Sequence, residues 1–62
     1  MISGMKPYIA EAKAAVAKGA DPNVTIQVIA NQAAMRRVAP YGAAKAVLAT
    51  ALTGDIKHLL RA

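Results

Sequence analysis

Four side chains in this 62-residue chain are of the carboxylate and imidazole types that transfer protons or hold metals: Glu11, Asp21, Asp55 and His58. Their spacing joins them into no recognisable site. The three carboxylates fall in three separate stretches, whereas general acid–base work needs partners converging on one reacting group. His58 stands between Lys57 and Leu59 with no second histidine at metal-ligand spacing. There is no cysteine, hence no thiolate nucleophile and no disulfide framework. The glycines sit at predicted chain breaks, where backbone geometry accounts for them, and form no phosphate-cradling loop. The sequence predicts a non-enzyme with no catalytic residue, cofactor, metal or small-molecule substrate.

The basic residues offer a different chemistry. Eight Lys/Arg against three Asp/Glu give a net charge of +5. Arg36, Arg37, Lys45, Lys57 and Arg61 lie in the C-terminal half, where Asp55 is the only acid. Cations so grouped suit phosphate oxygens and give affinity without reading sequence. Arg36 and Arg37 also have a structural reading, as cations favoured by the dipole at a helix C-terminus. Phe and Trp are absent and aromatics make up 3% of the chain, so platforms for stacking single-stranded bases are lacking. The third predicted helix offers Ala, Thr and one Lys, a poor set for base edges. Any nucleic-acid contact is therefore expected at the phosphate backbone.

The elements that must position these residues are helical. Alanine, the strongest helix former, is the commonest residue. Gly19-Ala20-Asp21-Pro22-Asn23 reads as a helix stop followed by a start, with Gly at C′, Asp or Asn as N-cap and Pro in the first turn. Pro40 disfavours helical geometry at Ala39 and marks a second break. Thr53-Gly54-Asp55 marks a third. The predicted fold is all-α, one domain over 1–62, with helices at 7–18, 24–38 and 41–52 and a short one at 56–61. Residues 24–29 (Val-Thr-Ile-Gln-Val-Ile) alternate like a strand, but no second strand exists to pair with them, and helix is the expectation. The string Lys18 to Asn23 resembles the loop that closes an ankyrin repeat. The repeat's Thr-Pro-Leu-His opening and its period of about 33 residues are missing, so the string reads as a helix–turn–helix connector.

At about 100° per residue, Tyr8, Ile9, Ala12, Ala15 and Val16 form one face of the first helix. Tyr41, Ala44, Val47, Leu48, Ala51 and Leu52 form one face of the third, and Ile56, Leu59 and Leu60 that of the last. The second helix is predicted to be apolar on two sides, with Ile26, Ile29 and Ala33 on one and Val24, Val28, Met35 and Val38 on the other. A helix with two apolar faces needs neighbours on both. A chain of this length hides only about 60% of its unfolded surface, and alanine fills little volume. Val24, Val28, Met35 and Val38 are accordingly the predicted self-association face.

Three roles compete on these grounds. The foremost is a small structural or assembly subunit, coat-like or nucleoid-like, that forms a homo-oligomer or larger assembly and lies on nucleic-acid phosphates through its basic residues. The second is a regulatory or inhibitory module that docks on DNA or a host protein. The third is a cationic, bacteriocin-like peptide acting on anionic membranes, against which the lack of interfacial Trp and Phe counts. Val38 to Gly54 is the best apolar window, and Pro40, Gly42 and Lys45 break it. No transmembrane helix and no signal peptide are therefore expected, which places the protein in the cytoplasm or within a particle.

Overall fold

The first helix can begin around Pro7 because its fixed φ and missing N–H cost nothing in a first helical turn. In the computed structural model, which describes residues 4–54, α1 spans Lys6–Ala17. Its face is as expected: Tyr8 and Ala12 are buried, and Ile9, Ala15 and Val16 are half-buried. Gly19, at φ 102°, ends it in a Schellman motif, with the Ala20 amide bonded to the Ala15 carbonyl and the Gly19 amide to that of Val16.

The second helix, α2, spans Pro22–Met35 and is shifted against the expected 24–38 at both ends. It starts earlier because Asp21 is the N-cap: its Oδ1 accepts from the Asn23 amide at 2.8 Å and the Val24 amide at 3.2 Å. It stops earlier because Arg37 turns left-handed, at φ 58°. The Val38 amide then donates to the Ala33 carbonyl (2.9 Å) and the Arg37 amide to that of Ala34 (3.0 Å). This is a second Schellman motif, built on an arginine where glycine is usual. Residues 24–29 are helical throughout, and no strand occurs among the described residues.

The third helix, α3, spans Tyr41–Thr53 and closes at Gly54 (φ 75°), whose amide bonds to the Thr50 carbonyl. Three helices thus form the described fold. The short helix expected at 56–61 lies outside the described residues.

All three helices pack against one another around a single buried cluster. From α2 it takes Ile26, Ile29, Ala30 and Ala33, from α3 Ala44 and Leu48, and from α1 Tyr8 and Ala12. Met5 and Ala39, from the segments flanking α1 and α3, complete it. Five of its ten members are alanines, so the helix axes can approach toward the short end of the usual 8–10 Å range. The largest fully buried side chains are Met5 and Leu48. No described helix is long and apolar enough to cross a membrane.

Candidate functional site

On α2 the buried arc and its opposite face are cleanly divided. Ile26, Ile29, Ala30 and Ala33 face the core, while Val24, Val28 and Met35 point outward and are 58%, 51% and 75% exposed. Asn31, also exposed, lies between them, so the outward stripe runs Val24, Val28, Asn31, Met35. These spacings of four, three and four keep to one side of a helix and match alternate d and a positions of a heptad. Val38, assigned to the same face from the sequence, lies elsewhere. It falls beyond the helix end and packs half-buried against the core, because the left-handed Arg37 redirects the chain. That hydrophobic placement at C″ is a usual companion of the Schellman motif.

No residue of α2 carries a charge. Its outward face consists of apolar and amide side chains only, in a chain whose net charge is +5. A shallow groove of about 460 Å³ runs beside it, lined by Gln27, Val28, Asn31, Gln32 and Tyr41. The sequence puts Tyr41 among the apolar residues of α3 facing the core. It is instead 41% exposed, because as the first residue of α3 it stands at the helix end, where its ring lines this groove. The signal for Asn31 is present in the sequence as the i, i+4, i+7, i+11 spacing, which a search for apolar residues alone passes over.

The basic residues occupy three situations. Arg36 is the C-cap of α2; its Nη1 donates to Tyr8 Oη at 3.3 Å, and its Cζ lies 6.0 Å from the Tyr8 ring centroid. The guanidinium thereby ties the end of α2 to α1 and still has other N–H groups to offer, since arginine carries five. Arg37, next in the chain, is exposed, and its side chain makes no hydrogen bond or ring contact among the described residues. Lys45 is exposed on α3, one turn after Tyr41, with Nζ 5.7 Å from that ring's centroid. This is within cation–π reach for an exposed pair. Arg36 and Arg37 are neighbours at the end of α2, and Lys45 follows on the next helix. Lys57 and Arg61 lie outside the described residues.

Glu11 is exposed on α1, and Asp21 is occupied as a helix cap. Among the described residues no group of three or more His, Cys, Asp or Glu side chains is placed to hold a metal. One buried polar atom, the Thr50 hydroxyl, has no hydrogen-bond partner among them.

No protein-family model, curated protein or solved structure matches this chain.

Proposed function

We propose that this chain is a non-enzymatic assembly subunit whose copies associate through the outward face of α2 and lie on a polyanion backbone through their basic residues. The observation that carries the reading is the separation of charge from exposed apolar surface. Val24, Val28 and Met35 are exposed on a 14-residue helix with no charged residue, while the chain as a whole carries +5. Exposed apolar groups scattered singly are ordinary. A row of them at helical spacing, free of charge, is a surface suited to a protein contact.

Arg36, Arg37 and Lys45 are the described cations assigned to phosphate, with Lys57 and Arg61 as the C-terminal members of the set. Such contacts release counterions, so binding should weaken steeply with salt and discriminate little between sequences. Sedimentation velocity at low and high salt, with and without a short DNA duplex, tests both halves. A mass above 6.4 kDa that grows with concentration, together with duplex co-sedimenting at low salt, is the expected result. Arg36→Ala combined with Arg37→Ala should lower affinity equally on unrelated duplexes. It should also make the slope of log K against log salt shallower by about 0.9 for each phosphate that is no longer neutralised. A monomer at millimolar concentration that ignores duplex overturns the reading in favour of a regulatory or inhibitory module.

A further inference from the structure

We infer that the outward face of α2 is the seat of a second copy of this chain, bound antiparallel across a two-fold axis that passes between Val28 and Asn31. The inference rests on the assembly reading above and adds its geometry. An isologous contact must be complementary to itself, and the stripe meets that condition in register. Reversing one helix about the midpoint of the stripe sets Val24 opposite Met35 of the other copy and Val28 opposite its Asn31. These are the a-to-d layers of an antiparallel helix pair, repeated on both sides of the axis.

Charge selects the antiparallel arrangement. Asp21 caps the N-terminus of α2, and Arg36 and Arg37 follow its C-terminus. Antiparallel pairing brings the acid of each copy to the end that carries the arginines of the other, and opposes the two helix dipoles. Parallel pairing would crowd four guanidinium groups at one end. Between those ends α2 itself brings no charge to desolvate, and Lys45, over the Tyr41 ring that lines the groove, is exposed. Uncharged apposition matters for two bodies that each carry +5, because like charges brought together across an interface are costly.

Asn31 is the polar member of the seam. Its Nδ2 lies 3.8 Å from Met35 Sδ, a weak contact. In the pair, its amide comes to the other copy's groove beside Val28, where Gln27 and Gln32 supply donors and acceptors. An amide both gives and accepts hydrogen bonds, so the same residues serve both copies. A charged protein partner would find no ion partner on the stripe. For a lipid surface, α2 lacks the basic residues along its flanks that interfacial helices use.

The helix pair is small. Fourteen residues make a rod about 21 Å long and about 10 Å across, a footprint of roughly 200 Å² set against the roughly 800 Å² per partner of a standard interface. The dimer is therefore expected to be weak, with association sought at concentrations up to about 1 mM.

The absence of native cysteine makes the test direct. Val24→Cys and Met35→Cys, both at exposed positions, are oxidised separately and as an equimolar mixture near 1 mM. Antiparallel pairing holds each residue about 16 Å along the axis from its own twin, beyond the Cα separation of about 7 Å that a disulfide spans. Neither variant alone should give a disulfide dimer, whereas the mixture should give the mixed one. Disulfide dimers of each variant alone indicate a parallel pair and overturn the inference. So does a protein that associates by sedimentation yet yields no mixed dimer, while leaving the assembly reading intact. Val28→Lys should return the parent protein's associated mass to 6.4 kDa with helicity unchanged. A folded Val28→Lys variant that associates as well as its parent refutes the proposed seat. A parent that stays monomeric at 1 mM removes the assembly reading with it.

Discussion

Arg37→Gly should stabilise this protein, although it deletes a charged side chain. Arg37 occupies C′ of a Schellman motif at φ 58°, the conformation that Gly19 takes at the end of α1. A residue with a Cβ pays about 1–2 kcal/mol there, while glycine raises the entropy of the unfolded chain at a cost of about 0.4–1 kcal/mol. The difference leaves a gain of roughly 0.5–1 kcal/mol. At about 4–8 °C per kcal/mol for a domain of this size, the melting temperature followed by circular dichroism should rise by about 2–8 °C. Gly19→Ala supplies the converse. A Cβ at Gly19 would meet nothing within 4 Å, so its penalty is backbone strain alone, and a fall of similar size is expected. Arg37→Ala keeps the strain while removing the guanidinium, and should change stability by less than about 0.5 kcal/mol. If Arg37→Gly melts lower while Gly19→Ala behaves as expected, the backbone argument is refuted and the arginine side chain makes a stabilising contact. A gain in stability coupled to weaker duplex binding would mark this as a position where strain is kept for function.

Other substitutions probe the frame that holds α2. Leu48→Ala empties a fully buried site and should cost about 2–5 kcal/mol. A domain of this size has only about 3–9 kcal/mol in total, so the variant should be largely unfolded by heat or mild urea. Asp21→Ala removes the side-chain acceptor for the Asn23 and Val24 amides and should cost about 1 kcal/mol, visible as a lower urea midpoint at unchanged m. Thr50→Val replaces a buried hydroxyl lacking a hydrogen-bond partner among the described residues by a group of the same shape. Relief of its desolvation penalty should raise stability by about 1 kcal/mol, read in the same urea titration.

The helices are legible wherever a residue signals a stop or a start. Gly19, the Asp21-Pro22 start and Pro40 punctuate the chain in ways that follow from backbone geometry, and the structure places breaks at all three. The end of α2 is not legible, because arginine carries no sequence signal for a left-handed residue. The cost of a positive φ at Arg37 is offset by two backbone hydrogen bonds and by the packing of Val38 on the core. Reading Val38 as helical puts it on the outward face, and the actual turn removes it. Met5 escapes notice because the segment before Pro7 lacks periodicity, yet it is completely buried. The opposition of the two α2 faces is readable from the 3.6-residue period alone. What spacing does not reveal is that Tyr41 lines one groove with Val28, since that groove joins two elements and depends on how α2 and α3 pack.

The two proposed contacts, copy to copy through α2 and polyanion through the basic residues beyond it, reinforce one another through electrostatics. Copies carrying +5 repel at low salt, where charges are felt over about 10 Å at 0.1 M and farther as salt falls. A polyanion neutralises that repulsion at the arginines and concentrates the copies along its length. The helix face that must then come together is uncharged, so neutralisation lowers the barrier to approach without weakening the contact itself. Added salt acts in opposite senses on the two steps: it screens repulsion between free copies but releases them from phosphate. Self-association in free solution should strengthen with salt, while assembly on the polyanion weakens. A contact held mainly by ion pairs would weaken in both settings, so this opposition assigns the joining of the copies to the uncharged seam and leaves Asp21 and the arginines at its ends only the choice of orientation.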